Sequence, residues 1–207
     1  MEQVELSNLF SVENGIFGIY GPNQIDLGLK RINTLQCPSD PQDELMGVGS
    51  NANTYTNHPN GIMFYKTNVG GVADSVSPWE PGEIGQIPSV NGDGMMLNFN
   101  SVRIRDVFDG TSNTLMVGEV TGGEPGSSRG HQWVHYNLFT TFNGINGDGT
   151  IPGSGVFQRP PLLDDSFSSY HPGGCHFQIA DGSAQFISEF IDADVLAALT
   201  TRAGGEP

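Results

Sequence analysis

The chain has 207 residues, enough for one domain with a hydrophobic core, and its 29 glycines and 13 prolines favour turns and loops over a helical bundle. Its 23 acidic and 8 basic residues give a net charge of −15, which excludes the basic footprint of a protein that binds nucleic acid or anionic lipid. No apolar run approaches the roughly 18 residues of a membrane-spanning helix, and no signal peptide is visible. We therefore predict one acidic domain over residues 1–207, without a membrane span in this chain.

Few regular elements are predicted in the first half of the chain. Residues 1–12 fit a short amphipathic helix. Pro38 and Pro41 forbid regular structure around them, and Asp40 between them is expected to cap a turn. Residues 47–101 are rich in Gly, Asn, Ser and Pro and are predicted as long loops. Short strands are predicted within them at residues 54–55, 62–65 and 95–99.

The middle of the chain combines a polar turn with two strands. Asp109 and the polar residues that follow it, Thr111, Ser112 and Asn113, are side-chain types that bond their own backbone in turns. A strand is expected next, over residues 114–120. An aromatic strand or strand pair is expected over residues 132–142. This pattern explains the turn without any chemistry.

A hairpin and a helix are predicted for the last forty residues. Residues 175–180 alternate, with Cys175, Phe177 and Ile179 on the apolar side and His176, Gln178 and Ala180 on the other. Asp181-Gly182 suits a two-residue type I′ turn, and residues 183–190 form the return strand. Asp192 is the expected helix N-cap, and Gly204 the expected exit. The apolar stripe of the helix consists of Val195, Leu196 and Leu199.

Three ordered motifs carry a family resemblance: Cys-Pro-Ser-Asp at 37–40, the segment 105–119 with its Asp-Gly-Thr-Ser-Asn-Thr core, and His171 followed after nine residues by Asp181-Gly182. Together with Met1-Glu2-Gln3 they resemble the planctomycete family of pseudopilin-like proteins with a C-terminal H-x9-DG motif (domain of unknown function 1559), whose long N-terminal prepilin helix is lacking here. The resemblance implies an α+β globular head with a mainly antiparallel sheet, long loops and short helices.

The same resemblance implies a non-catalytic structural or interaction protein of a type II secretion or type IV pilus-like system. Its partners would be other pseudopilins or secretion-apparatus subunits. Its location would be extracytoplasmic, in the periplasm or at the cell surface.

Two other functions stay open. A secreted hydrolase, an esterase or glycosidase, would use His171 with Asp181 and a serine, of which Ser169 is the first candidate and Ser168 and Ser112 are others by residue type. A carbohydrate-binding head that depends on calcium would use oxygen ligands from Gly-rich loops. Its candidate ligands are Asn143, Asn146, Asp148, Asp164 and Asp165. Sugar-stacking aromatics would be Trp79, Trp133, Tyr136 and Tyr170.

The remaining metal-type residues are weaker signals. His131 and His135 are four apart and share a face on a helix or on a strand, so they are the candidate ligands of a transition metal. Cys37 and Cys175 lie far apart in the sequence, and either a disulfide or two thiols are compatible with it.

Overall fold

A computed structural model of the chain describes residues 28–41, 44–47, 63–76, 92–97, 100–121, 131, 133, 138–146 and 167–205. The fold divides into two compact units, the first comprising residues 1–68 and 122–137, and the second residues 69–121 and 138–207. The prediction of one domain over residues 1–207 stays a prediction. The predicted helix at 1–12 and the strand at 54–55 lie outside the described residues.

The first unit contains a small antiparallel ribbon. Strand β1, Leu45–Gly47, pairs with β2, Met63–Tyr65, with Leu45 opposite Tyr65. The strand predicted at residues 62–65 is therefore confirmed as β2. Phe64 in this strand is buried, and a short 3₁₀ helix spans Asn33–Leu35.

Asp40 is part of a buried polar network in the first unit. Its Oδ2 lies 3.1 Å from the ammonium of Lys66, and both side chains are almost fully buried. The same oxygen accepts a 2.5 Å hydrogen bond from the Asn68 amide, whose Oδ1 accepts the Cys37 N–H at 2.8 Å. The carboxylate therefore satisfies a buried lysine far along the chain, and the turn cap expected of it stays a prediction.

The second unit is built on a five-stranded mixed sheet. Its described strands are β3, Val69–Asp74; β4, Leu115–Glu119; β5, Leu138–Thr140; β6, Gly174–Ile179; and β7, Ala184–Ser188. Their order across the sheet is β5-β3-β4-β6-β7, and every pairing is antiparallel except that of β3 with β5. Helix α1, Ala193–Thr200, packs against β3 and β4. The α+β prediction with short helices and a mainly antiparallel sheet is confirmed.

The core of the second unit lies on one face of this sheet. The predicted alternation of β6 is confirmed, since Cys175, Phe177 and Ile179 are buried while His176 and Gln178 are exposed. The ring of Phe177 packs against that of Phe167 at a centroid distance of 4.9 Å. This core also includes buried residues from β3, β4 and α1, namely Val72, Leu115 and Leu196.

Strand β3 was not predicted from the sequence pattern. Gly70 and Gly71 give it low strand propensity, yet a Cβ at Gly70 would overlap the ring of Phe139, and a Cβ at Gly71 would crowd Met96. The glycines are therefore required by close packing. The strand predicted at 95–99 is wrong for its described part, because residues 95–97 are irregular even though the Met96 N–H donates to the Val72 carbonyl at 2.9 Å.

The hairpin between β6 and β7 has a three-residue loop. The Gly182 N–H donates to the Ile179 carbonyl at 2.9 Å, and the Ile179 N–H donates to the Ser183 carbonyl at 2.8 Å. Of the two residues of the Asp-Gly pair, only Gly182 has a positive φ, at 90°. The predicted type I′ turn is therefore wrong, since both of its central residues need positive φ, whereas a longer loop needs one glycine there.

Helix α1 begins as predicted and ends differently. The Asp192 carboxylate accepts from the N–H groups of Asp194 and Val195, which confirms the N-cap. Leu196 is buried, but Val195 is half exposed and leaves the apolar stripe. The helix ends at Thr200 with Thr201 in extended backbone, so Gly204 is not its C-cap. Among the described residues, no helix has the length and apolarity to cross a membrane.

Candidate functional site

A glutamate at the end of β4 lies beside the first residues of β6. The pairing of β4 with β6 places Gly118 opposite Phe177, so that Glu119, the last residue of β4, comes beside His176. The Glu119 Oε2 accepts the backbone N–H of His176 at 2.7 Å and lies 3.2 Å from the Nδ1 of the same residue. The backbone pairing thus fixes the position of the carboxylate.

A second imidazole reaches the same carboxylate from the loop before β6. The Nε2 of His171 lies 3.3 Å from Oε1 of Glu119. The rings of His171 and His176 meet edge to face at a centroid distance of 5.1 Å, and His176 in turn contacts the ring of Phe186 on β7. We call Glu119, His171 and His176 the imidazole–carboxylate cluster.

Ser169 holds the loop that carries His171. Its hydroxyl donates to the Gly174 carbonyl at 2.7 Å and accepts the His171 N–H at 3.1 Å. Its own N–H donates to Oδ1 of Asn146 at 2.8 Å. These bonds close the turn between Ser169 and Gly174, so the imidazole of His171 projects from a fixed backbone.

A second polar layer lies next to this loop. Asn146 has left-handed backbone, with φ at 56°, and its Nδ2 donates to Glu189 at 3.0 Å. The thiol of Cys175 is fully buried and lies 3.8 Å from Oδ1 of Asn146. Burial raises the pKa of this thiol, so it stays protonated and is a poor nucleophile. Neither Cys175 nor Cys37 forms a disulfide.

The family follows from a comparison of the whole chain. A family model described as "Protein of unknown function (DUF1559)" matches residues 1–194. The chain belongs to the DUF1559 family. The matched range contains all three motifs on which the resemblance was based. No match to this DUF1559 protein is found among curated proteins or solved structures.

Two of the three residues predicted for a hydrolase come together in the DUF1559 fold. Ser169 and His171 share one turn, but the contact joins the serine hydroxyl to the backbone N–H and not to the imidazole. Asp181 lies at the opposite end of β6, exposed to solvent. Hydrogen bonds from Ser183 lower the pKa of Asp181. Of the other serines, Ser168 is buried and bonded to Thr121, and Ser112 is exposed.

The residues predicted for calcium fall largely outside the described part of the DUF1559 chain. Asp148, Asp164 and Asp165 lie there, while Asn143 and Asn146 are described. The amide of Asn146 already bonds Ser169 and Glu189. His135, Trp79 and Tyr136 also lie outside the described residues. Trp133 donates its indole N–H to the Lys30 carbonyl at 3.0 Å.

Glu119 and His176 are the functional candidates that sequence reasoning missed in this DUF1559 protein. Glu119 closes the predicted strand at 114–120, and His176 stands on the polar face predicted for β6. Only the register between β4 and β6 brings them together, and a single sequence does not specify that register. An acid at one strand end and a histidine near the start of another were the available signals.

Proposed function

We propose that this DUF1559 protein is a non-catalytic, pseudopilin-like structural subunit of a type II secretion or type IV pilus-like system. It would act outside the cytoplasm, through contacts with other subunits of the apparatus. One observation carries the proposal: the aspartates of the H-x9-DG and Asp-Gly-Thr-Ser-Asn-Thr motifs, together with Asn113 and Thr114, are hydrogen-bond partners of the backbone.

Asp109 is the clearest case. Its Oδ2 accepts the Gly204 N–H at 2.7 Å and the Thr201 hydroxyl at 3.2 Å, and its Oδ1 accepts the Gly205 N–H at 3.0 Å. The acid of the second motif therefore fastens the segment after α1. A carboxylate with three such donors stabilises the fold and is not placed for acid–base chemistry on a substrate.

The aspartate of the third motif also accepts a hydrogen bond from the backbone. Asp181 accepts the Ser183 N–H at 2.8 Å and stabilises the hairpin loop. The serine that would complete a hydrolase, Ser169, bonds the backbone of Gly174 and of His171. Support for the hydrolase alternative is therefore weaker than for a structural role. The calcium-dependent alternative stays a prediction.

The second unit also offers apolar groups for contacts with other subunits. Phe108, Phe190 and Phe142 are exposed to 79%, 72% and 58%. Exposed aromatic side chains are enriched in protein interfaces, and they contribute much of the binding energy there. Carbohydrate, the other partner considered, would also use such rings.

Photo-crosslinking in the cells that make the protein tests this function. Phe190 is replaced by a photoreactive phenylalanine analogue, and the crosslinked species are identified by mass spectrometry. We expect pilin-like or secretion-apparatus subunits as the products. A matched control carries the analogue at Phe177, which is buried and should give no intermolecular product.

Turnover by the purified chain would contradict the proposal. Ester and glycoside panels are assayed with the wild type and with His171→Ala. The proposal expects no hydrolysis above the buffer rate for either protein. Hydrolysis that disappears in His171→Ala would establish the enzyme instead.

A further inference from the structure

We propose that the imidazole–carboxylate cluster binds one divalent transition-metal ion, for which Zn²⁺ is the probe. The ligands would be the carboxylate of Glu119, Nε2 of His171 and Nδ1 of His176. This inference goes beyond the proposed structural function, which needs no metal, and it uses none of the five residues predicted for calcium.

The ligand types select the class of metal. Two imidazoles and one carboxylate form a ligand set that zinc uses in proteins, with water or substrate in a fourth position. Imidazole suits zinc, copper, iron and nickel, whereas calcium and magnesium prefer oxygen ligands alone. The net charge of −15 also raises the local concentration of cations around the chain.

Each imidazole nitrogen lies beside its own oxygen of the Glu119 carboxylate. Ligand atoms about 2.0–2.1 Å from a tetrahedral zinc are roughly 3.3 Å from one another. The separation is 3.3 Å between Nε2 of His171 and Oε1 of Glu119, and 3.2 Å between Nδ1 of His176 and Oε2. The ring centroids are 5.1 Å apart, and two imidazoles on one tetrahedral ion would place theirs at about 5 Å.

The surroundings admit solvent to the cluster and hold its ligands in place. His176 is 50% exposed and His171 is 28% exposed, so a cation from the solvent can reach both rings. Glu119 is less exposed, at 21%, and the backbone N–H of His176 holds its carboxylate. Ser169 fixes the backbone of His171. Hydrogen bonds that orient ligands in this way are characteristic of metal sites.

A bound ion would join three parts of the second unit. Glu119 ends β4, His171 lies in the loop before β6, and His176 lies within β6. Because the three ligands come from two adjacent strands and one loop, the ion would fasten the hairpin of β6 and β7 to β4.

Calorimetric titration of the full chain with ZnCl₂ tests the proposal. We expect one tight site per chain in the wild type, with affinity lowered at least about tenfold in His176→Ala and in Glu119→Gln. Binding should weaken as the pH falls, because a histidine must be neutral to act as a ligand. CaCl₂ in place of ZnCl₂ should show no competition for this site.

Gln178→Ala is the matched control, because Gln178 is exposed on the same face of β6 two residues beyond His176. It should bind Zn²⁺ as the wild type does. Co²⁺ gives an independent readout, since a tetrahedral site produces strong visible absorption bands that His176→Ala should lose. Circular dichroism confirms that each variant is folded. Equal zinc affinity in the wild type, His176→Ala and Glu119→Gln, or no zinc binding by the wild type, would overturn the proposal.

Discussion

Two acids bracket strand β4, and they have different partners. Asp109, before the strand, accepts two backbone N–H groups and one hydroxyl from the segment after α1. Glu119, at the end of the strand, accepts one backbone N–H and faces two imidazoles. Both acids belong to the same sequence motif, so the motif alone does not separate their roles.

The two acids differ in whether their hydrogen-bond partners could also bind a cation. Backbone N–H groups cannot be released without opening the fold, so Asp109 is committed to structure. Imidazoles can instead coordinate a cation, so Glu119 stands in a cluster that can change its occupancy. The acid before β4 therefore serves stability alone, whereas the acid at its end also belongs to the proposed metal site.

The largest loss of stability is expected in the hydrophobic core that supports both ends of β4. Phe177 lies opposite Gly118 of β4 and packs on Phe167. Phe177→Ala should lower the free energy of unfolding by about 3–5 kcal/mol, because it leaves a cavity in the core. Urea denaturation measures this. Phe186→Ala, on the exposed face of β7, should cost much less, and equal losses would contradict this account of the core.

A smaller loss is expected at the Asp109 end. Asp109→Asn should lower the free energy of unfolding by about 1–2 kcal/mol, comparable to the loss of a helix cap. Burial raises the pKa of Asp109, but the N–H groups of Gly205 and Gly204 and the Thr201 hydroxyl outweigh it and hold this pKa below its ordinary value of 3.8.

The lowered pKa of Asp109 determines how its contribution to stability changes with pH. Because the folded pKa is depressed, the stabilisation is complete above pH 3.8 and is lost as the pH falls through the folded value. The gap between the melting temperatures of the wild type and Asp109→Asn should therefore be constant near neutrality and close in acid. Asp181→Asn should cost less, because the asparagine Oδ1 can still accept the Ser183 N–H. A gap that widens in acid would contradict the assignment.

The smallest expected effect is a gain of stability, from a substitution at Asp74. Burial, with the nearby negative charge of Asp93, raises the pKa of Asp74 from 3.8 to about 6. The folded chain then binds more protons than the unfolded chain between these values, so stability falls as the pH rises through them. Asp74→Asn should melt a few degrees above the wild type at neutral pH and show no such gain near pH 4. A gain of the same size at both pH values would contradict the raised pKa.

Local patterns in the sequence predicted the C-terminal module well. The alternation along β6 and the cap at Asp192 depend on residues a few positions apart, so one sequence contains all the information they need. The turn at Gly182 was placed correctly but given the wrong type, because the Asp-Gly pair suits loops of two and of three residues.

Features that depend on distant residues could not be predicted. Gly70 and Gly71 read as loop, because the ring of Phe139 and the side chain of Met96, which require them, are far along the chain. The pairing of Glu119 with His171 and His176 depends in the same way on strand register. Asp40 needed Lys66 to explain its burial.

Thermal melting with and without Zn²⁺, on the wild type, Asp109→Asn and Glu119→Gln, tests the contrast between the two acids most directly. A ligand that binds only the folded chain at 100 times its Kd adds about 2.7 kcal/mol of stability. Asp109→Asn should melt lower than the wild type and keep the full rise with Zn²⁺, whereas Glu119→Gln should lose that rise. A rise that persists in Glu119→Gln, or that disappears in Asp109→Asn, would contradict the account.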